Sequence, residues 1–310
     1  MNQSTPKILF KLAGLFGTEV VNGRVDIPEQ FGNGYCSGCV FNENVRILIL
    51  DYQLNKEVTI ENPEINIPGK MILFKFQNIS SNHIKQMPSV LIATSRMNTD
   101  EVISVHNNNS SINIEMDSNY LEELFELSKR SQVLQSLSEN IQPLLFEQMI
   151  FSTIQTILDE IISEPVDEDF KWIFRKIKTE ELVCRLLIEL EKRKDKQIYP
   201  LNKRDVRAIY GIKEEILNHL DTPPVINDLA IKVNMSPTKL KTIFRQIFGD
   251  SIFSYYQDFR MKAAARLLKE EQLSVSDVGY QLGFSNLSHF SRLFEKHIGM
   301  KPKRYSKIEE

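Results

Sequence analysis

The stretch DLAIKVNMSPTKLKTIFRQIFG at residues 228–249 returns, one residue longer, as DVGYQLGFSNLSHFSRLFEKHIG at residues 277–299. Asp228-Leu229-Ala230, Met235-Ser236, Leu240, Phe244, Ile247-Phe248 and Gly249 in the first copy answer to Asp277-Val278-Gly279, Phe284-Ser285, Phe290, Phe294, Ile298 and Gly299 in the second. The offset moves from 49 to 50, so the added residue sits at the second turn. Each copy reads as a short helix, a turn of three or four residues and a second, cap-initiated helix, which is the helix-turn-helix arrangement. Ala230 or Gly279 is the small residue that lets the two helices approach. One copy would be a weak signal, because such pairs also occur as plain packing units; an internal repeat at matched spacing, joined by one long helix, is a strong one.

Around this repeat, helices are expected at about 205–220, 227–234, 237–248, 252–270, 275–282 and 286–298. Ser274 with Asp277 has the spacing of a capping box, in which hydroxyl and carboxylate each take an orphan amide. Ser236-Pro237 is a cap followed by proline at the first helical position, where its missing N–H costs nothing. Gly249 and Gly299 stand where left-handed helix stops are expected. In the second helix of the first copy Leu240, Ile243, Phe244 and Ile247 form the apolar stripe, so Thr238, Lys241, Thr242 and Arg245 point outward. In the second copy Phe290, Leu293 and Phe294 are inward, leaving Ser288, Ser291, Arg292 and Glu295 outward. Hydroxyls, Lys and Arg are the groups that bond base edges and phosphates in a major groove, although a solvated helix face has the same composition.

Working outward, 310 residues suggest two or three domains. The hydrophobic fraction is 42%, the charged fraction 25%, and no apolar run has the roughly 18–20 residues needed to cross a bilayer. The net charge of -3 hides two unlike pieces. Residues 201–310 hold 18 Lys+Arg against 13 Asp+Glu, and residues 1–200 hold 20 against 28. The basic end permits phosphate contacts without proving them. Residues 33–117 carry short β-branched and aromatic runs at Gly34–Phe41, Val45–Leu54, Glu57–Ile60, Met71–Phe76, Ser89–Ala93, Val102–Val105 and Ser111–Met116. Clusters such as Asn42-Glu43-Asn44, Asn62-Pro63-Glu64, Pro68-Gly69 and Asn107-Asn108-Asn109 punctuate them, which predicts a mostly antiparallel β sandwich or barrel.

Helical periods follow over about 118–195: one from Tyr120 with Asp117 or Ser118 as cap, one over Leu144 to Ile161, a third after Asp169 and a fourth over Glu180–Lys192. The charged stretch 193–197 marks the neighbourhood of a boundary. The predicted class is α+β: a regulatory, effector-sensing domain at 1–200 and an all-α domain at 203–310. The wide apolar stripe at 142–162 fits a core helix or self-association as a homodimer.

Other constellations carry less. Cys36-Ser37-Gly38-Cys39 is a lone C-x-x-C without the further ligands of a zinc site or the helix N-terminus of a redox thiol. Cys184 falls in a helical apolar pattern and is expected in the core. His83, His106, His219, His289 and His297 are scattered with no i, i+4 pair, and there is no G-x-S-x-G, Walker A or G-x-G-x-x-G sequence. No enzyme, metal or cofactor is therefore expected. A ligand-binding β-domain enzyme with an accessory helical domain and a pure interaction protein are the alternatives. Three cysteines in 310 residues and the absence of a readable export signal predict a cytoplasmic protein that does not enter membranes.

Residues 205–305 resemble the DNA-binding domain of AraC/XylS-type transcriptional regulators, above all in GFSNLSHFSRLFEKHIGMKP and in the connecting stretch with Arg260, Ala264 and Leu267-Leu268. The resemblance covers about a third of the chain. It implies two recognition helices in successive major grooves, with Thr238, Lys241, Thr242, Ser288, Ser291 and Arg292 at the family's base-reading positions. It also implies double-stranded promoter DNA and RNA polymerase as partners and a small-molecule effector. The chain departs from the family at Gly279, usually alanine, which should loosen the second unit's first helix, and at Val225, usually a capping hydroxyl. Glu295 is expected to face away or to pair, since a carboxylate beside the reading face repels phosphate. The runs LKTIFRQIFGDSIFSYYQDFRMKAAARLL and GNGYCSGCVFNENVRILILDYQL are similar to the siderophore-responsive branch, which implies a ferric siderophore as effector.

Overall fold

The structure, a computed structural model, describes residues 5–56, 58–61, 70–79, 88–94, 102–105, 108–150, 152–193 and 197–307, with the backbone alone at 58–61, 102–105 and 108. His83, His106, Phe151, residues 194–196 and the turn clusters at 62–64, 68–69 and 107 lie outside the described residues. The chain divides into two compact units, Met1–Leu201 and Asn202–Glu310.

In the first unit, helix α1 (Lys7–Phe16) precedes strands β1 (Arg24–Asp26), β2 (Gly32–Asn42), β3 (Val45–Leu54), β4 (Val58–Glu61), β5 (Met71–Gln77), β6 (Ser89–Thr94), β7 (Val102–Val105) and β8 (Asn108–Asp117). A ninth strand, β9 (Leu145–Met149), follows after two helices. Seven strands form one antiparallel sheet in the order β1-β2-β3-β8-β5-β6-β9, and β4 pairs with β7 separately. Period-two alternation decides the faces. Ile47, Ile49, Ile72, Phe74, Phe76, Val90, Ile92, Ile112 and Ile114 point to one side and are fully buried there. That side is closed by helices α2 (Ser118–Phe125), α3 (Gln132–Glu139), α4 (Ser152–Ser163) and α5 (Glu168–Glu191), through Leu121, Leu137, Leu158 and Leu186 among others. The expected sandwich or barrel is thus an open sheet among the described residues, because helices supply the second apolar layer. On the opposite side α1 lays Leu9, Leu12 and Phe16 over Val25, Cys36 and Tyr52.

Several expectations change here. Residues 145–149, read as helical, form an edge strand, since the ladder from Ala93↔Leu145 to Ser89↔Met149 outweighs a helical spacing of apolar residues. The two helices expected after Asp169 are the single 24-residue α5, which meets no Gly or Pro along its length. Helices α1 and α3 and strand β1 had no reading. The stripe at 142–162 is core, with Ile154, Ile157, Leu158 and Ile161 buried. Asp117 is the cap of α2, accepting from the Asn119 amide at 2.8 Å and the Tyr120 amide at 3.4 Å.

The second unit is all helix: α6 (Lys203–Asn218), α7 (Ile226–Lys232), α8 (Pro237–Phe248), α9 (Ile252–Lys269), α10 (Val275–Gln281), α11 (Leu287–Ile298) and α12 (Pro302–Tyr305). Asn202 caps α6, and the carboxylate of Asp205 reaches Lys239 of α8 at 2.9 Å, which ties the starts of α6 and α8. The amino half of α9 presents Tyr255 to Phe244 and Phe248, with ring centroids 5.4 and 5.0 Å apart. Its carboxyl half buries Met261, Ala264, Leu267 and Leu268 against Val278, Leu282, Phe290 and Phe294. One helix therefore underlies both α7–α8 and α10–α11.

Candidate nucleic-acid interface

The two helix pairs share a backbone plan. Ala230 and Gly279 are each buried near the end of the leading helix, and their carbonyls accept from the amides of Met235 and Phe284 at 3.0 and 2.9 Å. Each turn needs one left-handed residue, supplied by Asn234 (φ 52°) and Gly283 (φ 74°). Asn tolerates that region through its short polar side chain. At Gly283 a Cβ would run into the carbonyl oxygen of Asp221, so only glycine fits.

The copies diverge by one residue past this point. Ser236 caps α8 by accepting from the Lys239 amide at 3.2 Å, whereas α11 is capped by Asn286, accepting from Ser288 and His289 amides at 2.9 and 3.1 Å. The structural counterpart of Ser236 is Asn286, and the added residue is Ser285, which the sequence comparison had aligned with Ser236. At Ser274 the expected reciprocal cap is altered: the hydroxyl accepts from the Asp277 amide at 3.2 Å and donates to the Asp277 carboxylate at 2.6 Å, so the carboxylate takes the hydroxyl instead of an amide. Both trailing helices end on left-handed glycines, Gly249 (φ 80°) and Gly299 (φ 87°).

With Leu240, Ile243, Phe244 and Ile247 buried, α8 exposes Thr238, Lys241, Thr242 and Arg245. With Phe290 and Phe294 buried, α11 exposes Ser288, Arg292 and Glu295, while Ser291 is half-buried. Glu295 is exposed one turn from Arg292 and forms no ion pair among the described residues. Gly279 lies at the contact between α10 and α11. A Cβ there would lie 2.6 Å from Leu287 Cδ2 and 3.3 Å from the Phe290 ring, so glycine lets α10 pack closely on α11.

Two features escaped the reading of outward faces. Arg260, near the middle of α9, is buried; its Nε donates to the Leu282 carbonyl at 2.9 Å and its guanidinium lies 3.6 Å from the Phe284 ring centroid. Beyond α11, α12 is held by Tyr305 against Phe294, centroids 5.5 Å apart, and exposes Lys301, Lys303 and Arg304. The basic run KPKR was the signal available for them.

The cysteines do not form a centre. Cys36 and Cys39 are three residues apart on β2, an odd separation that places them on opposite faces of the sheet. Cys36 packs in the α1 cluster and Cys39 in the main core. Burial pushes the Cys36 thiol up to about 12 and the Cys39 thiol up to about 11, the latter partly countered by Arg175, so both stay protonated at neutral pH. Cys184 is half-buried on α5, not in the core as expected. Among the described residues no group of three His, Cys, Asp or Glu side chains is placed to hold a metal, and no helix is long and apolar enough to cross a membrane.

Two capped helix pairs, each with an apolar inner stripe and a polar outer face, define a module of the helix-turn-helix class. Residues 229–308 match the family model described as a helix-turn-helix domain. The chain is 39% identical over 71 residues to the regulatory protein PchR of Pseudomonas aeruginosa, which covers 23% of this chain and 24% of that protein. It is 32% identical over 107 residues to the arabinose operon regulatory protein of Salmonella typhimurium, covering 34% of this chain and 37% of that protein. The matches thus span about a quarter to a third of these relatives' length, and both relatives are named as regulatory proteins. A solved structure, the C-terminal domain of the two-component response regulator yesN from Fusobacterium nucleatum, is 26% identical, with 33% of this chain and 99% of that chain covered and a TM-score of 0.31.

Proposed function

We propose that the chain is a DNA-binding transcriptional regulator in which residues 202–310 read promoter DNA and residues 1–201 sense a small molecule. The observation that carries this reading is the repeated outer face, exposed at Thr238, Lys241, Thr242 and Arg245 on α8 and at Ser288 and Arg292 on α11, with Ser291 half-buried beside them, each on the second helix of a capped pair. Arg and Lys bond guanine edges and phosphates, and the hydroxyls bond either. Lys301, Lys303 and Arg304 add phosphate contacts at the end of the second pair. Double-stranded DNA and RNA polymerase are the macromolecular partners, the cytoplasm is the compartment, and a ferric siderophore is the effector that the amino-terminal similarity favours.

Self-association belongs to α5 instead of 142–162. Phe170, Ile173, Ile177 and Ile188 are exposed along one stripe of that helix. Its amino half carries Lys171, Arg175, Lys176 and Lys178 against Glu168 and Asp169, and its carboxyl half Glu180, Glu181, Glu189 and Glu191 against Arg185, so an antiparallel second copy would set a net positive half against a net negative one.

The test is a mobility-shift selection with the full chain on a random-sequence duplex library at two salt concentrations. Enrichment of defined sequences, with affinity falling as salt rises, is expected. Binding without sequence preference, or none, overturns the reading.

A further inference from the structure

We propose that Arg260 is a positioning residue that sets the spacing between the two duplex segments the chain accepts. The inference rests on the reading of α8 and α11 as the two DNA-contacting helices. Arg260 itself is buried within α9 and faces the second turn.

Three consecutive residues of that turn are each held from outside their own helix pair. The carbonyl of Leu282, the residue that ends α10, accepts from both Nε and Nη2 of Arg260. Gly283 is pressed against the Asp221 carbonyl, in the loop that leads into α7. The Phe284 ring receives the guanidinium on its face. One turn earlier on α9, the Tyr256 hydroxyl donates to the Leu220 carbonyl at 3.1 Å, and the Tyr256 ring centroid is 5.3 Å from the same guanidinium. A chain of direct contacts thus runs from the Leu220–Asp221 loop through Tyr256 and Arg260 to residues 282–284.

The chemistry is selective for arginine. The planar fork delivers two N–H groups to one carbonyl while its face stacks on an aromatic ring, so both the distance and the rotation of the turn about α9 are specified. A lysine ammonium is a point donor on a flexible stem and specifies neither. Plain packing of α9 under α10 and α11 is already supplied by Met261, Ala264, Leu267 and Leu268. A buried guanidinium is costly to retain for packing alone, and here it acts on orientation. One added base pair shifts the second segment by about 3.4 Å and about a tenth of a turn, and a loosened turn would follow such a shift where a clamped one cannot.

The experiment uses the full chain and a duplex selected by the wild type from a random library, with one or two base pairs inserted between the two protected segments. Wild type is expected to bind the inserted duplexes at least tenfold more weakly than the parent. Arg260→Lys, shown folded by its thermal transition, is expected to bind the parent more weakly and to reduce the parent-to-inserted ratio below threefold. A folded Arg260→Lys that keeps the wild-type ratio overturns the proposal, even if its affinity falls, because a merely structural role lowers affinity on every duplex alike. If Arg260→Lys does not fold, Tyr256→Phe decides: the ring stays, only the hydroxyl bond is lost, and a narrowed ratio is expected, whereas an unchanged one overturns the proposal. A wild-type chain that protects only one segment, or that is indifferent to insertion, sinks the two-helix reading itself and is thereby distinguishable from a failure of Arg260 alone.

Discussion

The two helix pairs of the carboxyl-terminal unit are built alike inside and differ outside. Each buries a phenylalanine ladder, Phe244 and Phe248 in the first and Phe290 and Phe294 in the second, with centroids 4.6 and 5.9 Å apart. Each places a small residue at the helix crossing and a left-handed residue in the turn. The outer faces diverge: α8 exposes Lys241 and Arg245, whereas α11 exposes Arg292 next to the carboxylate of Glu295. Under the proposed DNA-binding reading, α8, whose outer face carries no carboxylate, would supply more of the salt-dependent grip, and α11 would rely more on hydroxyls and one guanidinium for discrimination. Interior positions answer to sterics, so the copies agree there; surface positions answer to the ligand, and two segments of DNA need not be alike.

The largest expected effect tests the shared interior. Phe244→Ala and Phe294→Ala, at matching positions of the two copies, should each cost roughly 3–5 kcal/mol in denaturant unfolding, since both rings are wholly buried. A gap of more than about 2 kcal/mol between them would break the equivalence of the pairs. Next comes the turn. Gly283→Ala should cost more than the roughly 1–2 kcal/mol of a left-handed alanine, because the added methyl also meets the Asp221 carbonyl. Asn234→Gly should change stability by less than about 1 kcal/mol; equal losses at the two positions would contradict the crowding at Gly283.

Outside, Arg292→Ala should lose roughly 1–3 kcal/mol of binding with relaxed choice at one base, while Lys241→Ala should weaken all sequences evenly and lower the salt slope by about one. An even loss for Arg292→Ala would reduce it to a phosphate contact. The smallest effect lies at the leading caps. Val225 caps α7 without a side-chain bond and Ser274 caps α10 with one. Val225→Ser should gain, and Ser274→Ala lose, about 1 kcal/mol. No gain at Val225 would show that its loop cannot take the capping geometry.

The legibility of the two units differed for a related reason. In residues 203–310 every helix before α12 was bounded to within about two residues, because caps, proline starts and glycine stops act over three or four residues. In the first unit the interior strands were readable from alternation, yet β9 was not. Its partner β6 lies more than fifty residues away, and residues 145–149 carry no local mark of that ladder. Cys36 and Cys39 show the opposite case: strand parity already separates them, and the coordinates add only how deep each thiol lies.

By itself the amino-acid order determined the duplicated helix pairs, their bounds and their glycine stops, since hydrogen bonds and side-chain neighbours one helical turn apart depend on nothing distant. Tertiary structure alone decided that the sheet is covered by helices, that Ser285 is the added residue of the second turn, that Gly283 is required by crowding, and that Arg260 points at Leu282. Those outcomes depend on which segments meet across tens of residues, and such meetings are set by the packing of the whole unit, which no short window of sequence contains.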